Sequence, residues 1–82
     1  MTTNDQFYAA SLTKKVERLW AEAAEIRSQF TLAWGEYVES KGDEAERSVL
    51  RERAYALCER AKDAEEAAWQ ASLSRRSFLA TR

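Results

Sequence analysis

Ser40-Lys41-Gly42-Asp43-Glu44-Ala45-Glu46 is the one strong break in a chain of 82 residues that has no proline and only two glycines. Gly42 is placed to take the left-handed conformation that ends a helix. Asp43 then reads as the N-cap of a second helix, with Glu46 three residues on completing a capping box. Glu44 and Glu46 also suit the positive end of that helix. The other glycine, Gly35, lies inside a periodic stretch, where it costs about 1 kcal/mol relative to alanine without breaking the helix.

Before the break, the apolar residues Leu12, Val16, Leu19, Ala23, Ile26, Phe30, Ala33 and Tyr37 follow one another at alternating steps of four and three. That is a coiled-coil heptad seam, with Val16, Ala23, Phe30 and Tyr37 at position a and the others at d. After the break the same rhythm recurs in Leu50, Ala54, Leu57, Ala61, Ala64, Ala68, Ala71, Arg75 and Phe78. The spacing predicts helices over about 5–40 and 43–79, each roughly 50 to 55 Å long. The expected architecture is all-α: residues 1–82 form a single antiparallel two-helix hairpin that dimerises into a four-helix bundle. Turned back at Gly42, Phe30 is expected opposite Ala54, Ala33 opposite Leu50 and Ile26 opposite Leu57. Leu19 should then meet Ala64, Val16 Ala68 and Leu12 Ala71, so that in most layers a large residue faces a small one.

The two flanks differ. Lys15, Glu22, Gln29 and Glu36 at g, with Arg53 and Arg60 on the second helix, form a solvated, charged side. There Glu22 is expected near Arg60 and Gln29 near Arg53. The other flank holds Trp20 and Trp34 at e, Tyr55 and Trp69 at b, and Cys58 and Leu79 at e. All three tryptophans therefore share one face, with Arg27, Lys62 and Glu65 among them. A two-helix hairpin has no third layer to cover such a face, and exposed aromatic patches mark interfaces. Trp20, Trp34, Tyr55, Cys58 and Trp69 are the expected contact residues, for a second copy of the chain, for a protein partner, or for both.

Composition narrows the chemistry. There is no histidine, which removes Ser-His-Asp and Cys-His nucleophile systems and His-based zinc sites, and one cysteine cannot build a Cys-rich site. No catalytic, cofactor or metal site is expected. Glu22 with Glu25, and Glu59 with Asp63, share helical faces but read as solvated pairs. Thirteen basic residues against fourteen acidic ones leave a net charge of −1, so nothing overall marks a nucleic-acid binder. The lone Cys58 fits a reducing compartment, no apolar run approaches the roughly 20 residues that span a bilayer, and the start MTTNDQFYAASL lacks the basic and apolar regions of a signal peptide. A cytoplasmic protein without membrane contact is expected.

Charge is uneven along the hairpin. The turn end is acidic, and the terminal end gathers Lys14, Lys15, Arg18, Arg75, Arg76 and Arg82. This basic pole could grip phosphate, although Arg75, Arg76 and Arg82 also suit a helix C-terminus through the macrodipole. Ser74-Arg75-Arg76-Ser77-Phe78-Leu79 matches the core of a twin-arginine export signal but has no apolar region after it.

The hairpin plan, with Ile26-Arg27-Ser28-Gln29 on the first helix and an Asp-Glu start to the second, resembles the Rop family of plasmid copy-number regulators, which are dimers of α-hairpins that bind paired RNA loops. The likeness is one of architecture, and it implies a dimer with RNA as the alternative partner. Small type III secretion chaperones and needle subunits are also α-hairpins of this length, though the needle turn contains proline and this chain has none. The function expected first is a non-enzymatic interaction module, an adaptor, inhibitor or chaperone of phage or plasmid type, acting by steric binding through its aromatic face.

Overall fold

In the computed structural model, which describes residues 3–81, the chain is two helices packed against each other as a hairpin. Helix α1 covers Thr3–Glu39 and α2 covers Glu44–Ala80, each 37 residues. All four ends lie within two residues of the positions set by the heptad pattern and the cap. The rod measures 63 × 14 × 12 Å. Its radius of gyration of 18.4 Å compares with about 12 Å for a compact domain of this length.

The turn is built from side-chain capping. Asp43 has an extended backbone (φ −73°, ψ 176°), and its carboxylate accepts the Glu46 N–H at 2.9 Å. Its carbonyl accepts the Arg47 N–H at 3.0 Å, the first rung of α2. On the other side, the Ser40 N–H donates to the Tyr37 carbonyl at 3.2 Å, and the Ser40 hydroxyl accepts the Gly42 N–H at 3.2 Å. Gly42 does not take the expected left-handed conformation, for no described residue has a positive φ. Because the Ser40 hydroxyl and the Asp43 cap satisfy the turn, a positive φ is unnecessary. What the glycine supplies is space: a Cβ there would collide with the Glu46 side chain.

Every residue of both expected seams is buried or half-buried. Among the described residues the buried set is Ala23, Ala33, Ala54, Leu57, Ala61 and Ala68. Five of the six are alanines, so the backbones approach closely and few large side chains are covered. The register differs from the expected one. Ala33, Ala54 and Leu57 form one cluster with Phe30 packed against it. The cross-helix contacts Arg75–Thr13, Trp34–Tyr55 and Arg27–Glu65 lie several residues beyond the expected register, in which a had been matched with a and d with d. On the charged flank Arg53 reaches Glu36 at 3.3 Å, seven residues along α1 from its expected partner Gln29. Glu22 pairs with Arg18 on its own helix at 3.8 Å, not with Arg60. A seam with Ala54, Ala61, Ala64, Ala68 and Ala71 offers small residues at nearly every level and so specifies the slide only weakly.

Candidate interaction face

Trp20, Trp34, Tyr55, Cys58 and Trp69 all belong to the flank where the e and b positions of the two helices meet. Around Trp34 the fold assembles an aromatic cluster. Its ring stacks on Tyr55 across the hairpin at 6.2 Å, and lies 5.3 Å from Tyr37 and 6.3 Å from Phe30 along α1. Tyr37 lies in turn under Arg47, whose guanidinium is 5.1 Å from the ring centroid. Phe30 and Tyr37, read as seam residues, thus serve both seam and face. The spacing of 30, 34 and 37 carries the signal, since residues three and four apart are helix neighbours.

One heptad further from the turn is a bidentate ion pair. Arg27 donates from its Nε to Glu65 at 3.0 Å and from a terminal nitrogen at 2.6 Å. The guanidinium also lies over the Phe30 ring at 5.5 Å, with Cys58 beside it. The hydrogen bonds from Arg27 hold the Glu65 carboxyl below the usual carboxylate range, and the same bonds raise Arg27. Both side chains remain about a third exposed. Sequence reading put Arg27 and Glu65 on this face but did not pair them, because pairing requires the true register.

Beyond the ion pair, the Trp20 indole N–H donates to the Ser72 hydroxyl at 3.0 Å, and Ser72 donates to the Ala68 carbonyl at 2.9 Å. Trp69 lies three residues before Ser72 on α2, and among the described residues no ring pairs with it. The face is therefore two aromatic pads, Trp34–Tyr55 toward the turn and Trp20 with Trp69 toward the termini, separated by a neutralised ion pair. Relative exposures are 39% for Trp20 and Trp34, 54% for Tyr55 and 48% for Trp69. Cys58 is half-buried, and Lys62 bonds Glu59 on its own helix at 3.4 Å.

The opposite flank is less polar than its charges suggest. A groove of about 470 Å³ there has Leu32, Ala33, Ala56 and Leu57 in its walls and Gln29, Glu36, Arg53 and Arg60 around it. The basic pole is partly engaged inside the hairpin. Arg75 occupies a seam position, and its Nε donates to the Thr13 hydroxyl at 2.8 Å. Arg18 is turned toward Glu22. Lys14, Lys15 and Arg76 are exposed, and Arg82 lies outside the described residues. The last turn of α2 holds no basic residue, so Arg75 and Arg76 sit short of the helix end that the macrodipole reading assigned them. Near that end Tyr8 and Phe78 close the hairpin edge to face, with ring centroids 4.7 Å apart.

Among the described residues no helix is long and apolar enough to cross a membrane. Comparison with models of known protein families, with curated proteins and with solved structures returns no match to this chain.

Proposed function

We propose that this chain is a non-enzymatic protein–protein interaction module, of the adaptor, inhibitor or chaperone kind, that works by steric binding through the face bearing Trp20, Trp34, Tyr55 and Trp69. One observation carries the reading. Among the described residues six are buried, none of them aromatic, while all three tryptophans and Tyr55 lie on a single face of a molecule two helices thick. Large amphipathic rings held in fixed positions are the side chains that dominate binding energy at interfaces. The Trp34–Tyr55 stack and the Trp20–Ser72 hydrogen bond fix three of these rings before any partner arrives, which lowers the ordering cost of binding. The lone half-buried Cys58 fits work in the reducing cytoplasm.

The test compares the wild-type chain with Trp34→Ala/Tyr55→Ala and Trp20→Ala/Trp69→Ala as bait in extract from the host cell, with circular dichroism confirming that each variant stays helical. A protein retained by the wild type and lost from both helical variants supports the face as the binding surface. Equal retention by the variants refutes it.

A further inference from the structure

We infer that the occupant of this face is a second copy of the same chain, so that two hairpins make a four-helix bundle with the Arg27–Glu65 pair enclosed between them. This rests on the reading of the face as a protein–protein interaction surface and names a second copy, in place of a different protein, as what covers it.

The first argument is area. The chain exposes 5990 Å², whereas a compact monomer of 9.4 kDa exposes about 5000 Å². The surplus, roughly 1000 Å², is close to the ~800 Å² that each partner contributes to a stable interface of standard size. The second argument is shape. The aromatic positions occur on both helices, so the patch is as wide as the hairpin. A single helix of about 10 Å diameter would cover one row of rings or lie between the two. A second hairpin, equal in width and length, covers both rows along the whole stripe.

The third argument is self-complementarity. Along α1 the face reads Trp20, Arg27, Trp34, and along α2 Tyr55, Lys62, Trp69, both at seven-residue intervals. Each row is aromatic, cation, aromatic, and so reads nearly the same from either end. A copy related by a twofold axis therefore meets aromatic pads with aromatic pads at both ends. In the middle, the charge of Arg27 is already neutralised by Glu65 within its own chain. Lys62 is likewise paired with Glu59 on its own helix, so the centre of the face requires no opposite charge from a partner.

The deciding experiment measures solution mass by light scattering over a dilution series, with tryptophan emission and acrylamide quenching recorded on the same samples. All three tryptophans of the chain lie on this face, so their emission reports on it alone. The expected result is a mass near twice 9.4 kDa that falls toward one chain on dilution, with a red shift of emission and increased quenching in step. For a dimer too tight to dilute apart, Trp34→Glu is expected to bring the mass to one chain while Leu32→Glu, on the opposite flank, leaves it doubled. Circular dichroism checks that both variants stay helical. A single-chain mass at the highest concentration reached overturns the inference and leaves the face open to a different protein, which the bait experiment tests separately. A dimer that dissociates without any change in tryptophan emission, or that survives Trp34→Glu, places the contact elsewhere and overturns it as well.

Discussion

Replacing Leu57 by alanine tests whether the hairpin is held where its packing indicates. Leu57 is the one large side chain in the buried set, 9% exposed, and it packs with Ala33, Ala54 and Phe30. Leucine-to-alanine changes in cores cost about 2–5 kcal/mol, depending on how far the surroundings collapse. Here one side of Leu57 borders the groove with Leu32 and Ala56. Water can enter the space left behind, which argues for the lower part of that range, about 2–3 kcal/mol. At about 4–8 °C per kcal/mol for a domain of this size, the melting temperature should fall by roughly 10–20 °C. A domain of this length has in all about 4–12 kcal/mol of stability, so the loss is a substantial part of the total. The assay is thermal and urea unfolding followed by circular dichroism, at one fixed chain concentration because association would shift the midpoint. Leu32→Ala is the control: the same atoms are removed from a side chain that is 70% exposed, and the change should stay within about 0.5 kcal/mol. If Leu57→Ala costs under about 1 kcal/mol, or if the two variants cost the same, the seam is not where the hairpin draws its stability.

Gly35 lies within α1 with nothing inside 4 Å of a would-be Cβ, so Gly35→Ala should stabilise the hairpin by about 0.5–1 kcal/mol and raise the melting temperature, whereas a lowered one would mean that the glycine serves a contact made only on association. Asp43→Ala removes the carboxylate that caps α2 through the Glu46 N–H and should cost about 1 kcal/mol in the same melts; an unchanged midpoint would show that the cap is not what starts the second helix. Glu65 is held below the usual carboxylate range chiefly by its hydrogen bonds from Arg27, so its stabilisation is present above the unfolded value of about pH 4.3 and disappears as pH falls through the lower folded value. Glu65→Gln should therefore be less stable than the wild type near neutral pH, with a gap that narrows as the medium is acidified below about pH 4. A gap constant from neutral to acid would disconnect the carboxylate from the pairing.

The helices and their ends were legible because each of their signals is local. A step of four and three marks the inward stripe whatever the stripe packs against, and Asp43 with Glu46 marks a start whatever precedes it. The axial register was not legible. It depends on how far one helix slides on the other, and a seam holding Ala54, Ala61, Ala64, Ala68 and Ala71 offers small residues at nearly every level. The error carried into the flanks, where Arg53 meets Glu36 and Arg27 meets Glu65. The side of its helix on which each aromatic lies is independent of this error, because sliding a helix along its axis does not turn it. The conformation of Gly42 was misjudged for another reason. A glycine at a helix end fits both a left-handed cap and a position crowded by a neighbouring side chain, and Ser40 with Asp43 decided for the second.

The sizes of the residues are distributed the reverse of a self-sufficient fold. The interior of the hairpin is mostly methyl groups, while the three indoles and the Tyr55 phenol stand on the outside. Alanine in the seam brings the two backbones together but removes little apolar area from water, and burial scales with that area at about 25 cal/mol per Å². Moving the tryptophans into the seam would gain area only by forcing the helices apart and breaking the close approach at Ala33 and Ala54. The hairpin thus has a tight inner seam that fixes the spacing of its helices, and a wide outer face whose burial is deferred. The inner seam sets where Trp34 and Tyr55 stand relative to one another, and the outer face holds four large rings still available to bury. On this division the stability of the hairpin and its capacity to associate are properties of different residues. A change at Leu57 acts on folding and a change at Trp34 acts chiefly on assembly, while Phe30, Tyr37 and the Arg27–Glu65 pair, which serve both the hairpin and its face, couple the two.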